Sequence, residues 1–322
     1  MAELYTYAVS RIHARESDLL SKNDIEQLIT CPDFDAAIKY LTERGYGNDR
    51  IYSDFDELRE DETEKMWNLI HELVPDTKPF ETIFRPIDYH NLKAAVKMVF
   101  TSETTTDYFR SGGTVEPEVI LEAVKHKSFT ELPEFLREPA EIAVNKFAKT
   151  TDGQESDIYI DKACLERMIR DGADSKVDII RDYTELYVAL CNIKIAVRGA
   201  KMMKHKQFFD DALVNCRSID IDSLGSVAAK GVDEIYKYLE HSDYHEAVEK
   251  LKISMSEFEK WSDNLIINLI KNQKSNPFTI QPLFAYILAK QNELKAVQIV
   301  LAGKKNELDN EFIRERIRDL YV

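Results

Sequence analysis

The chain has 322 residues, 44% of them apolar and 31% charged, with a net charge of −15. That length and balance fit one large soluble domain or two to three smaller ones, and so acidic a body repels nucleic-acid phosphates and anionic headgroups wherever its cations are not clustered. Ten glycines and nine prolines are few for the tight turns of an all-β chain, and Cys31, Cys164, Cys191 and Cys216 show no CxxC spacing, so they read as apolar fillers in a reduced, intracellular protein.

Residues 3–20 keep a helical stripe in Leu4, Tyr7, Ala8, Ile12 and Leu19, and the charges among them exclude a signal peptide or an anchor. Ser21 to Asp24 supplies a cap for a helix over 25–30 that Pro32 ends. A third helix over 34–44 stops at Gly45-Tyr46-Gly47-Asn48, and further helices are predicted over 56–74 and 86–100. The charge runs Asp54 to Glu57 and Arg59 to Glu62 read as solvated surface. Loops are expected at 101–114 (TSETTTDYFRSGGT) and 150–157 (TTDGQESD). Between them lie helices over 118–125 and 129–147, the second with breaks expected at Pro133 and Pro139.

Long helices are predicted over 159–171, 174–205, 222–230, 232–240, 243–252 and 254–272. The uncharged run from Ser275 to Ala289 holds two prolines and is too short to span a bilayer. The next helix, over 282–303, opens on Pro282, carries Leu283, Ile287, Leu294, Val297 and Leu301 on one stripe, and closes on Gly303-Lys304-Lys305. A last helix covers 309–320. No segment of useful length alternates with period two, so the fold class is all-α.

A theme recurs along these helices. Asn91-Leu92-Lys93, Asn192-Ile193-Lys194 and Glu293-Leu294-Lys295 follow one another at steps of 101 residues. The apolar pairs Phe34/Leu41, Phe129/Leu136 and Val232/Leu239 mark a hairpin that accompanies each copy. The first helix resembles a long helix without its hairpin, and the final segment a hairpin without its long helix. Three copies with complementary ends could close into a ring. Around an axis, Asn91, Lys93, Asn192, Lys194, Arg198, Glu293 and Lys295 would then line a polar socket or face outward together.

Reactive motifs are missing: there is no GxxxxGK[ST], GxSxG, HExxH, GxGxxG or EF-hand loop. His241 and His245, with Glu249 a further step on, could form a metal face, although an exposed polar helix face explains them as well. The basic run Arg198, Lys201, Lys204, His205 and Lys206 encloses Met202 and Met203. It reads either as cations at a helix C-terminus or as a landing site for an acidic partner.

Tyr7-Ala8, Arg11-Ile12, Ala14, Glu16 and Leu19-Leu20, followed by Asp24-Ile25, Leu28 and Gly45-Tyr46-Gly47-Asn48, form a pattern at one end. Phe284-Ala285-Tyr286, Glu293-Leu294-Lys295, Gly303-Lys304 and Ile313-Arg314-Glu315-Arg316 form one at the other. Together they resemble the C subunit of archaeal and bacterial V-type (A-type) ATPase/synthases, a relative of the d subunit of the eukaryotic V-ATPase. The resemblance implies three pseudo-equivalent helical-bundle domains, here 1–110, 111–210 and 211–322, arranged as a funnel around a pseudo-threefold axis. It implies a non-catalytic, cytoplasmic adaptor between the D and F subunits of the central stalk and the membrane proteolipid ring. On this reading the chain binds no nucleic acid or cofactor, does not enter the membrane and forms no homo-oligomer, and the seven repeat polars face the stalk. Two rivals stand beside it. One is a helical-repeat scaffold, although solenoid units are far shorter than 101 residues. The other is a metal-dependent helical enzyme built on His241 and His245.

Overall fold

A computed structural model describes residues 2–48, 50–101, 105, 107–150, 153–271 and 278–322, and among them the chain is helical without a strand. Parts of both expected loops (102–104, 106 and 151–152) and of the uncharged run (272–277) lie outside the described residues. After α1 (Ala2–Glu16), Ser21 opens α2 (Lys22–Thr30) with a capping box: its hydroxyl accepts the Asp24 N–H, and the Asp24 carboxylate accepts the Ser21 N–H at 2.8 Å. Asp33 and Asp54 cap α3 (Phe34–Glu43) and α4 (Phe55–Leu73) by accepting the Ala36 and Glu57 N–H groups. A 3-10 turn over Lys78–Ile83, which the sequence reading does not anticipate, leads into α5 (Arg85–Thr101). Then come α6 (Pro117–His126), α7 (Glu134–Thr150), α8 (Gly153–Asp174), α9 (Asp178–Lys201) and α10 (Lys206–Ala212). The chain continues through α11 (Ile221–Ala228), α12 (Val232–Leu239), α13 (Glu246–Ile253), α14 (Met255–Lys271), α15 (Gln281–Lys305) and α16 (Asn310–Arg316).

Several boundaries differ from the sequence expectations, each for a local reason. Pro139 does not break α7. The carbonyl that its missing N–H would have bonded, that of Phe135, accepts the Tyr89 hydroxyl at 3.0 Å instead. Residues 153–157, expected in a loop, form the first turn of α8, where buried Ser156 donates to the Ala143 carbonyl at 3.2 Å. The helix expected over 174–205 ends at Lys201, because Met203 turns left-handed (φ 54°) and α10 starts afresh. The last helix stops at Arg316, and the chain beyond it is held by side chains of α14 and α15: Asn264 Oδ1 accepts the Asp319 N–H at 2.9 Å, and Asn292 Nδ2 donates to the Asp319 carbonyl at 2.8 Å.

The chain forms two compact units, Met1–Thr77 with Glu249–Val322, and Lys78–Val248. In the first, the two ends of the sequence share a core. Ile25, Leu28 and Ile29 of α2, Ala37 and Leu41 of α3, and Phe55 and Leu58 of α4 pack with Leu294, Val297, Val300 and Leu301 of α15 and Ile313 of α16. The apolar stripe expected on α15 is buried, but so are Phe284, Ala285, Leu288 and Ala289 on its other faces, which makes α15 the central helix of its unit. In the second unit α8 packs against α5, α7 and α9, and the α11–α12 hairpin lies against α9. Buried Arg85 joins α5 to α8 through Asp171 at 2.8 Å and lies 3.7 Å from the centre of the Phe135 ring.

Candidate functional site

The repeated helices carry a repeated tie. On α5, Asn91 Nδ2 donates to the Arg110 carbonyl and Oδ1 accepts the Arg110 N–H, both at 2.9 Å. On α9, Asn192 does the same to Val214, at 2.7 Å to the carbonyl and 3.0 Å from the N–H. On α15 the amide that holds a passing carbonyl belongs to Asn292, through its bond to Asp319. All three asparagines are buried. The sequence reading missed Asn292, although its signal was present: asparagines at 91, 192 and 292 stand 101 and 100 residues apart. Carboxylates reinforce two of the ties. Asp88 accepts the Thr114 N–H at 2.7 Å, and Glu185 accepts the Arg217 and Ser218 N–H groups at 2.7 and 2.9 Å.

Glu293, which the step of 101 selects, serves a different group. It accepts the Leu20 N–H and the Tyr46 hydroxyl, and it pairs with Lys290 at 2.9 Å. Lys290 also reaches Glu62 on α4 at 2.7 Å and lies 4.1 Å from the centre of the Tyr46 ring. Glu62 accepts the Gly47 N–H and the Lys65 ammonium, each at 2.9 Å. Two carboxylates and two ammoniums thus neutralise one another where Lys290 is only 8% exposed and Glu62 4%. Burial alone would push the Lys290 ammonium down, but Glu293 and Glu62 override it, and its pKa stands above the ordinary lysine value. Burial pushes Glu62 up, yet Lys290 and Lys65 leave it below the usual carboxylate range. The Tyr46 hydroxyl is held protonated by burial and by Glu293.

The expectation that Arg59 to Glu62 is solvated surface is corrected here: Glu60 is exposed, but Asp61 and Glu62 are buried. Asp61 accepts Nε and Nη2 of Arg50, each at 3.0 Å, and the Tyr52 hydroxyl at 2.5 Å. Each carboxylate has partners brought to it by the Gly45–Tyr52 segment or by α15. The Lys290 network lies at the wall of a cavity of about 930 Å³, which Arg11, Arg15, Asp24, Arg44 and Lys65 also line.

The other repeat polars lie nearer the surface. Lys93 pairs with Asp161 on α8 at 2.5 Å, and Lys97, one turn on, pairs with Asp157 at 2.6 Å. Lys194 is half-buried on α9 near Cys191, whose thiol burial pushes up to about 11 against the pull of Lys194. Asp161 acts on the same thiol, so Lys93 and Lys194 share the neighbourhood of one α8 carboxylate. Arg198 is exposed near the end of α9. Lys295 pairs with Asp263 on α14 at 2.6 Å, and Arg318 takes the same oxygen at 3.0 Å. Five of the seven positions thus belong to the second unit, while Glu293 and Lys295 belong to the first.

His241 and His245 do not share a helical face, since both precede α13 in a turn, where they are exposed. Among the described residues no three His, Cys, Asp or Glu side chains are grouped so as to hold a metal ion, and no helix is long and apolar enough to cross a membrane.

The family model of the ATP synthase (C/AC39) subunit matches residues 8–316. Similar proteins include the C subunit of the V-type sodium ATPase of Enterococcus hirae, 23% identical over 96% of this chain and 97% of that protein. The C subunit of the A-type ATP synthase of Methanocaldococcus jannaschii is 22% identical over 98% of this chain and 86% of its own length. That of Thermococcus kodakarensis is 21% identical over 97% and 90%.

Proposed function

The chain belongs to the ATP synthase (C/AC39) subunit family, and from that premise we propose that it is the central-rotor adaptor of a V/A-type ATPase or synthase. In this role it joins the D and F subunits of the central stalk to the membrane proteolipid ring on the cytoplasmic side and carries torque between them. The family is a non-catalytic part of the rotary complex, so ATP chemistry belongs to other chains. The observation that carries the reading is the family match over residues 8–316, which leaves no room for a separate catalytic domain within the matched span.

A torque-bearing joint needs stiffness and grip. Close-packed helices provide the first, and the buried asparagine ties add to it by fixing the chain that runs past each long helix. The recurrence of the tie supports an arrangement of three pseudo-equivalent bundles, 1–110, 111–210 and 211–322, as a funnel about a pseudo-threefold axis. Grip on the stalk comes from Lys93, Lys194, Arg198 and Lys295, while Asn91, Asn192 and Glu293 hold the frame on which those cations stand. Charged groups at such a contact set the rate of encounter and the register more than the raw affinity.

The test is isolation of the tagged chain from native membranes under mild detergent. Recovery together with D, F and the proteolipid is the expected result. Recovery alone, or with proteins of no rotary ATPase, overturns the reading.

A further inference from the structure

The corner between α9 and α10 carries a feature that folding alone does not call for. Gly199, near the end of α9, accepts the Lys204 N–H at 3.0 Å, and Ala200 accepts the Met203 N–H at 3.0 Å, which closes the helix with Met203 left-handed. That position favours glycine or asparagine, because a side chain there crowds the following carbonyl. Methionine stands there instead, 85% exposed, beside Met202 at 61%. After α15 the same turn recurs: Leu308 N–H bonds Gly303, Glu307 N–H bonds Lys304, and Glu307 occupies the left-handed position. The turn therefore has no need of an apolar side chain.

The surroundings of the two methionines are cationic. None of residues 186–209 is acidic, whereas Lys201, Lys204 and Lys206 around the methionines are basic, in a chain of net charge −15. Lys201 and His205 are exposed on either side of the methionines. Lys204 donates to Gln154 at 3.0 Å with its ammonium 5.5 Å from the centre of the Phe208 ring. Lys206 pairs with Asp210, whose carbonyl accepts Lys162 from α8 at 3.0 Å, so one nearby acid is neutralised and a further cation is added, while exposed Asp211 accepts the neutral Gln207 amide at 3.1 Å.

We infer that this corner docks on the anionic phospholipid surface, with Met202 and Met203 entering the headgroup layer and Lys201 and Lys204 meeting lipid phosphates. Exposed flexible apolar side chains within a ring of cations match an interface that is apolar beneath and negative on top. The choice of lipid over a loop of the ring rests on the cytoplasmic placement proposed above. Cytoplasmic loops of membrane proteins carry an excess of Lys and Arg, which would repel this corner, whereas the headgroups beside them attract it.

The full chain is to be co-sedimented with phosphatidylglycerol/phosphatidylcholine vesicles and with pure phosphatidylcholine vesicles. The expected result is binding to the anionic vesicles only, weakening as salt is raised. Met202→Ser with Met203→Ser, and separately Lys201→Glu with Lys204→Glu, should each weaken it about tenfold or more. Met203→Gly should fold at least as well as the parent, since glycine suits the left-handed position, yet still bind less. No binding to anionic vesicles overturns the inference, as does binding that none of these variants reduces. So does capture of detergent-solubilised proteolipid ring that depends on Met203 while vesicles are ignored, because the corner would then be a protein contact. Co-purification with D, F and the ring is a separate readout, so a failed vesicle assay leaves the adaptor role standing, and the converse also holds.

Discussion

At the scale of single residues, the most consequential group is Lys290, held between Glu62 and Glu293. Lys290→Met should lower stability to urea by about 3–5 kcal/mol, because it strands two buried carboxylates rather than merely removing an attraction. The network also fixes how stability depends on pH. Glu62 is depressed in the folded state, so its contribution is present above the unfolded glutamate value of about 4.3 and is lost as pH falls through the lower folded one. Lys290 is raised, so its contribution is complete below about 10.4 and is lost as pH climbs through the higher folded value. Urea midpoints followed across pH should therefore fall at both extremes, and in Lys290→Met the alkaline fall should be smaller, the part that comes from buried hydroxyls and thiols such as Tyr46 and Cys191 remaining. Little of this was legible beforehand. Glu293 emerged from the repeat, but Glu62 sits in a charge run whose composition is that of solvent-facing helix. Only the packing of α4 against α15, more than 200 residues apart in sequence, buries it.

At the scale of elements, the start of α2 was legible because its cap is written in neighbouring residues, Ser21 to Asp24, whereas the aspartate caps at Asp33 and Asp54 were not anticipated, Asp54 having the composition of a solvated charge run. The end of α9 was not legible either, because no proline or turn cluster separates Lys194 from Phe208. The left-handed turn at Met203 ends it, and α10 then folds back so closely that a Cβ on Gly199 would lie 2.6 Å from the Phe209 ring and 2.7 Å from that of Phe208. Gly199→Ala should thus destabilise by about 1–3 kcal/mol through overpacking, which outweighs the ~1 kcal/mol that alanine gains in helix propensity. Gly303→Ala meets Cδ1 and Cγ1 of Ile313 at 2.5 and 2.6 Å, a buried β-branched side chain with little room to move, so its cost should be of the same size. The asparagine ties give a second measure at this scale. Asn192→Ala leaves the Val214 N–H and C=O without their partner, at about 1–3 kcal/mol per group. Thermal melts of the three variants rank these effects directly.

At the scale of the whole molecule, the family pattern was legible because it is spread over both ends of the chain, and the match over residues 8–316 agrees with it. Partner-facing residues are harder to read, since a lysine that grips another protein looks like any solvated lysine. Lys93 and Lys295 already pair with Asp161 and Asp263, so glutamate at these positions would set like charges against each other. Glutamine is the cleaner substitution. Lys93→Gln, Lys194→Gln and Lys295→Gln together should leave the fold intact and weaken binding to the isolated D–F stalk roughly ten- to a hundredfold, at about 0.5–1 kcal/mol per charge. The most direct test of the adaptor role is ATP-driven ion uptake by membrane vesicles stripped of this chain and then resupplied with it. Uptake should vanish without the chain while the detached catalytic sector still hydrolyses ATP, and it should return on adding the chain back. Uptake that continues without the chain, or loss of hydrolysis in the detached sector, would contradict the account.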